Sequence, residues 1–259
     1  MFGWLKAKEL PKEPAWEEPV EEFENPEALI DFFKDETGIT FEKQGSVVRR
    51  KLAGFCRRRG FHSFAQCYDR ITGDESLRQE LVNCLTTNES FFYREFAQIE
   101  KLVLLAETAS RPFTVLCAPC ATGEEPYTIA LALLEAGIPS SGFRITGIDI
   151  NTEALERARE GSYRERSVRN IPPAVLARYF TETGEGLFVL EERVREQVTF
   201  QRMNVFDPAF PSLGKFDFVF SRNMLIYFDK ETRKKARSIL EGMGKDPSLP
   251  PFFGHADLF

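Results

Sequence analysis

Apolar positions recur at two different periods along this chain of 259 residues, and the change from one to the other divides it. From residue 25 to 86 the period is helical. Asn25-Pro26-Glu27 supplies a polar start and a first-turn proline, Leu29, Phe32 and Phe33 share a face, and Gly38 is a stop signal. Between Val47 and Gly60, Val48, Leu52 and Phe55 fall at i, i+4 and i+7. Ser63 and Asp74 are placed to cap two further helices, one carrying Phe64, Tyr68 and Ile71, the other Leu77, Leu81 and Leu85. One apolar stripe per helix predicts a small all-α domain over residues 25–86.

From Phe113 the pattern switches to short apolar runs alternating with helical stretches. Residues 113–117, 143–148 and 216–220 read as buried strands, and 125–135, 152–159 and 230–240 as the helices that follow them. Such alternation predicts an α/β domain built on a mostly parallel sheet, covering residues 113–259. Residues 186–190 and 198–202 look like two strands joined by a charged turn, which predicts a small antiparallel β-insertion over about 179–202. Residues 87–112 are expected to link the two domains and to fold over a cofactor cleft in the second. Residues 1–24, rich in Glu, Lys and Pro with Trp4 and Trp16 isolated among charges, read as a flexible acidic tail.

Charge narrows the partners. The net charge of -6 excludes a general nucleic-acid binder, so contact with an anionic partner has to come from a local patch. One exists: Arg49, Arg50, Lys51, Arg57, Arg58 and Arg59 surround the apolar stripe of the second helix, a run whose ordinary role is a solvated face. No apolar run approaches the roughly 20 residues that span a bilayer, and the chain does not open on an apolar signal core. A cytoplasmic protein without membrane insertion is expected. Cys117-Ala118-Pro119-Cys120 is formally a CxxC, but no second ligand pair accompanies it and the chain has two histidines. It reads as small residues in a tight turn, with no metal site, and histidine-based catalysis is not expected.

In doubly wound sheets ligands bind beyond the carboxyl ends of the strands. Residues 117–123 occupy that place after the first strand. A dinucleotide loop needs three spaced glycines; here only Gly123 stands, followed by Glu124 and Glu125. Two carboxylates at a helix start repel phosphate and suit a cofactor carrying amine, sulfonium or ribose hydroxyls, although helix starts favour acidic residues anyway. Asp149 ends the second strand, where a carboxylate accepts from ribose hydroxyls or caps the next helix. Asn204 stands at a third strand end, where an amide reads an adenine edge or satisfies its own loop. Arg222-Asn223 follows the strand at 216–220, again at the cleft.

In this order the motifs resemble the chemotaxis-receptor glutamate O-methyltransferases of the CheR type. The resemblance spans about residues 25–255. It is carried by Asn88-Glu89-Ser90-Phe91-Phe92-Tyr93-Arg94, Thr122-Gly123-Glu124-Glu125-Pro126-Tyr127, Asp149-Ile150-Asn151, Asn204-Val205, Arg222-Asn223 with Ile226-Tyr227-Phe228, and Gly254-His255. It implies a Rossmann-like class I methyltransferase domain that uses S-adenosyl-L-methionine and releases S-adenosyl-L-homocysteine. By the same likeness Asn88, Ser90, Arg94, Glu125, Asp149, Asn204, Val205, Arg222 and Asn223 contact the cofactor, and Arg94 and Tyr227 lie nearest the transferred methyl. The basic helix would dock the cytoplasmic helices of methyl-accepting chemotaxis receptors, and a monomer is expected. The short turn at 181–186 favours recognition that does not depend on a receptor tail tether.

Two features depart from the family pattern. Pro119 stands where a small flexible residue is usual, which removes an N–H and fixes φ. The sequence stops soon after the expected fifth strand, where the family continues into a closing hairpin, and residues 244–251 replace the usual preceding turn. These features keep one rival open, a non-catalytic receptor-binding or regulatory module; a methyltransferase with another substrate, a small molecule or nucleic acid, is a separate alternative.

Overall fold

The computed structural model describes residues 23–41 and 45–257, so the expected tail at 1–24 lies almost wholly outside the described residues. Helices α1 (Glu27–Thr37), α2 (Gly45–Arg58), α3 (Phe64–Ile71) and α4 (Glu75–Leu85) form where the helical stripes are. Their boundaries follow the local signals. Gly38 takes a left-handed conformation (φ 77°) and donates its N–H to the Lys34 carbonyl, Ser63 accepts from Gln66 N, and Asp74 accepts from Leu77 N. The stripes meet: Leu29, Phe33, Val48, Leu52, Phe55, Phe64, Ile71 and Leu81 are buried in one cluster.

The rest of the chain contains helices α5 (Ala97–Thr108), α6 (Glu124–Glu135), α7 (Thr152–Glu160), α8 (Glu165–Val168), α9 (Pro173–Tyr179), α10 (Glu192–Arg195) and α11 (Lys230–Glu241). Its strands are β1 (Phe113–Cys117), β2 (Phe143–Asp149), β3 (Ser162–Arg164), β4 (Phe180–Thr183), β5 (Leu187–Leu190), β6 (Val198–Arg202), β7 (Phe218–Ser221) and β8 (Phe252–Phe253). Five of them build one parallel sheet in the order β6-β2-β1-β7-β8. Side chains alternate across it. Val115, Cys117, Phe218 and Phe220 face the layer containing α5 and α6, whereas Leu116 and Val219 face the layer containing α11. Both faces are covered, which is why these strands read as nearly continuous apolar runs. Each fully buried Phe or Leu contributes about 1.5–3 kcal/mol to this packing.

The β-insertion differs from expectation. Val198–Arg202 was expected to pair with residues 186–190, but it joins the main sheet parallel to β2. The antiparallel sheet is three-stranded instead, ordered β3-β5-β4, so the insertion runs from residue 162 to 190. The reason is α10: its single turn redirects the chain between β5 and β6, and Ile145 N donates to Gln197 O as the chain enters the sheet edge. The insertion also forms a socket. Phe92, fully buried, stands edge-on to Tyr163 of β3 (4.8 Å between ring centres) and to Phe180 of β4 (5.4 Å), anchoring the covering segment.

Candidate active site

The carboxyl ends of β1, β2, β6 and β7 open into a cavity of about 310 Å³. All ten residues expected at the cleft line it: Asn88, Ser90, Arg94, Glu125, Asp149, Asn204, Val205, Arg222, Asn223 and Tyr227. Their convergence depends on backbone geometry. Gly123 (φ 92°) opens α6, and a Cβ there would stand 3.0 Å from both Ala158 Cβ and the Tyr163 hydroxyl, so only glycine fits the approach. Ala121 and Asn223 take positive φ (47° and 59°), as do Tyr93 and Glu95 (60° and 47°) in the covering segment. Tight turns at these places bring polar side chains toward one centre. Pro119 interrupts no sheet bond: its neighbours Ala118 and Cys120 donate to Phe220 O (2.9 Å) and Ile148 O (2.8 Å).

The two adjacent glutamates part company. Glu124 is buried away from the cleft, accepting from Thr122 Oγ1 (2.6 Å) and Ser167 Oγ (3.2 Å). Glu125 faces the cavity and pairs with Arg222, whose Nη1 donates to Oε2 at 2.8 Å. Arg222 is almost wholly buried; it also donates to the Arg94 carbonyl and lies 3.8 Å from Glu95. Burial pushes the Glu125 carboxyl above its ordinary range, and Arg222 works against that shift. Glu125 Oε1 is buried and makes no hydrogen bond.

Asp149 is held as firmly. Its Oδ2 accepts from Ala121 N and its Oδ1 from Asn151 N, both at 2.9 Å, while burial pushes its carboxyl up. It therefore braces the β1 turn; the cap of α7 is Asn151, which accepts from Ala154 N. A carboxylate has about four acceptor positions, so Asp149 keeps capacity for hydroxyl donors. Asn204 is committed to the chain, its Oδ1 accepting from Phe206 N and its Nδ2 donating to Glu36 O. That leaves it one free N–H for a base edge. Arg94 donates to the Glu89 carbonyl and lies near the Phe91 ring. Burial raises the Tyr227 hydroxyl pKa.

Several residues at the site were not read from the sequence. Thr37 at the end of α1, with Ile39 and Phe41 just beyond it, forms one wall of the cavity. Asn151 also donates to Thr86 Oγ1 (2.7 Å) and Asn83 O, and Asn83 Oδ1 accepts from Thr152 N (3.0 Å), so α4 clasps the loop after Asp149. Only the apolar alternation of Ile39 and Phe41 after Gly38 hinted at the wall. The CxxC is inert: Cys117 and Cys120 are free and buried, with burial raising both thiols far above their ordinary range. Among the described residues no His, Cys, Asp or Glu cluster is suited to a metal. No described helix is long and apolar enough to cross a membrane.

The basic face of α2 is partly spoken for. Arg49 donates to Phe23 O (2.8 Å), Lys51 to Leu85 O, Arg58 to Cys84 Sγ, Arg59 pairs with Glu80, and Arg57 lies over the Phe23 ring (4.9 Å). Arg50 is exposed and shows no partner among the described residues.

The lining suits S-adenosylmethionine. Glu125 Oε1 is an unsatisfied acceptor for an ammonium group, Asp149 retains acceptor capacity for ribose hydroxyls, and Val205, Phe228 and Ile148 give an apolar surface for a base. Comparison with known proteins agrees. Residues 88–257 match the family described as CheR methyltransferase, SAM binding domain, and residues 24–86 match CheR methyltransferase, all-alpha domain. The chain is 30% identical over 230 residues to a chemotaxis protein methyltransferase of Campylobacter jejuni, covering 89% of this chain and 87% of that one. It is 33% identical to chemotaxis protein methyltransferase 2 of Vibrio cholerae, covering 88% and 83%. It is also 33% identical to the probable biofilm formation methyltransferase WspC of Pseudomonas putida, covering 84% of this chain and 53% of that one. A Rossmann-like domain with this cleft, joined to an all-α domain, makes the chain a member of the CheR methyltransferase family and an S-adenosylmethionine-dependent methyltransferase.

Proposed function

We propose that this protein methylates glutamate side chains on the cytoplasmic helices of methyl-accepting chemotaxis receptors, giving the methyl esters used in adaptation. When bound, S-adenosylmethionine supplies an electrophilic methyl on a sulfonium centre. Glu125 and Arg222 hold its amino-acid end, Asp149 its ribose, and Asn88, Ser90, Asn204, Val205 and Asn223 complete the pocket. The accepting carboxylate, with an ordinary pKa of about 4.3, is already ionised at neutral pH, so transfer needs no general base. What remains is positioning and exclusion of water. Arg94 steers the carboxylate, Tyr227 orients it through its hydroxyl, and the segment 88–94 together with Ile39 and Phe41 closes the cleft. Arg50 and its basic neighbours dock the acidic receptor helix. The reading includes a cytoplasmic monomer that does not bind nucleic acid, consistent with the net charge of -6.

The observation that carries this reading is convergence: Arg94 and Tyr227, from segments far apart in the chain, line the cavity that holds the Glu125–Arg222 pair. The likeness to WspC of Pseudomonas putida favours one second reading, a receptor-like sensor outside chemotaxis as acceptor. The test is transfer of labelled methyl from S-adenosylmethionine to receptor cytoplasmic fragments of both kinds, followed by mild base. Base-labile label on glutamate is expected. Cofactor binding without transfer to either fragment would sink the proposal in favour of a binding module.

A further inference from the structure

The segment after β8 folds back over the strand end that carries Arg222 and Asn223. Asp257, 1% exposed, accepts hydrogen bonds through Oδ2 from Asn223 N (2.5 Å) and Gly254 N (3.1 Å). Burial raises the Asp257 carboxyl above its ordinary range, and the N–H groups of Asn223, Gly254, Leu225 and Ile226, the last two opening the short turn Leu225–Tyr227, work against that shift. The carboxylate thus sits at the start of the turn that presents Tyr227, and on the N–H of a residue held at positive φ. Glu95, which lies 3.8 Å from Arg222, accepts from His255 N at 3.1 Å and so secures the same segment from the other side. Gly254 makes the approach possible: a Cβ there would stand 2.9 Å from Asp257 Oδ2 and 3.1 Å from Asn223 N.

We infer that Asp257 is a positioning residue, whose buried carboxylate fixes the Arg222–Asn223 elbow and the Tyr227 turn in the shape that receives cofactor and acceptor. The inference rests on the proposed function and adds to it a group that lines no part of the cavity. A buried carboxylate is an effective anchor here. It accepts from main-chain N–H groups that no helix or strand satisfies, and charge-assisted hydrogen bonds are roughly twice as strong as neutral ones. Oδ1 is buried without a hydrogen-bond partner, so an amide can keep its carbonyl at the Oδ2 position, but it loses the negative charge that strengthens those bonds.

The test compares Asp257→Asn, Asp257→Glu and Gly254→Ala with the parent protein in S-adenosylhomocysteine affinity, methyl-transfer rate and melting temperature. Asp257→Asn is expected to weaken product binding and slow transfer by about 10- to 100-fold, the range for losing a hydrogen bond to a charged group. Its melting temperature should stay within a few degrees of the parent's. Asp257→Glu should recover most of both losses, and Gly254→Ala, which crowds the carboxylate without removing it, should fall between. Binding and transfer within twofold of the parent in Asp257→Asn would overturn the inference. So would losses that merely follow a collapsed melting transition in all three variants. A parent protein that binds S-adenosylhomocysteine but transfers no methyl would count against the proposed function, while the binding series still tests Asp257.

Discussion

Arg222 and Arg50 are the same side chain in opposite situations. Arg222 is buried at the cleft, paired with Glu125, close to Glu95 and bonded to the Arg94 carbonyl. Arg50 stands in solvent on α2 with no partner among the described residues. The first has been desolvated in folding and is fixed in place, so its field acts at short range and little screened. The second keeps its hydration and its rotamer freedom, so what it would contribute to a contact depends on salt. Charge alone thus does not distinguish a buried arginine at a cleft from one on a solvated face; burial and prior pairing do.

The sharpest way to break the comparison is to remove Arg222. Arg222→Ala leaves Glu125 buried without its counterion, and breaking such pairs costs about 3–5 kcal/mol. Melting should show a large destabilisation, and calorimetry should show S-adenosylhomocysteine affinity reduced by more than about 100-fold. A variant that melts like the parent and binds within a few-fold would show the pair to be incidental.

That pairing was only half visible in the sequence. Strand ends were legible because buried apolar runs stop abruptly at polar residues, and in a parallel sheet those stops share one edge; Asp149, Asn204 and Arg222 were found this way. Which of Glu124 and Glu125 faces the cleft was not legible, because neighbours on a helix point about 100° apart and the answer depends on how α6 lies on the sheet. The partner of Val198–Arg202 was also hidden, since a strand's local alternation says which faces it has and not which strand it joins. Asn83 on Thr152 N, Asn151 on Asn83 O and Asp257 on Asn223 N act on main-chain groups distant in sequence, and nothing nearby in the chain marks those contacts.

A gentler change separates the charge of the buried pair from its shape. In the fold the Glu125 carboxyl is raised above its ordinary range, chiefly by burial. Cofactor affinity should therefore fall as pH drops into a window that begins above the ordinary carboxylate range, because the protonated acid no longer holds the charge that pairs with an ammonium group. Stability moves the other way: a carboxyl raised in the folded state contributes most below its unfolded value and loses that contribution as pH rises through the folded one. Glu125→Gln should lower affinity about 10-fold at neutral pH, the cost of one charged hydrogen bond, and flatten both profiles. Some pH dependence should persist from Asp149, which is raised as well. A parent profile with no acid limb would show that the Glu125 charge does not bind the cofactor.

The smallest expected effect lies on α2, and it is the one that tests whether the two arginines differ in kind. Arg57 packs on the Phe23 ring and Arg59 pairs with Glu80, so replacing either would disturb the helical domain itself. Arg50 can be changed without that cost. Arg50→Glu should lower methylation of receptor fragments by about two- to fivefold at low ionic strength, the scale of exposed ion pairs. The deficit should vanish as salt shortens the screening length to about 3 Å near 1 M. Cofactor affinity should not change, because Arg50 does not line the cavity. A deficit that survives high salt would place Arg50 in a desolvated contact like that of Arg222, and an unchanged rate at low salt would exclude this face of α2 as the docking site.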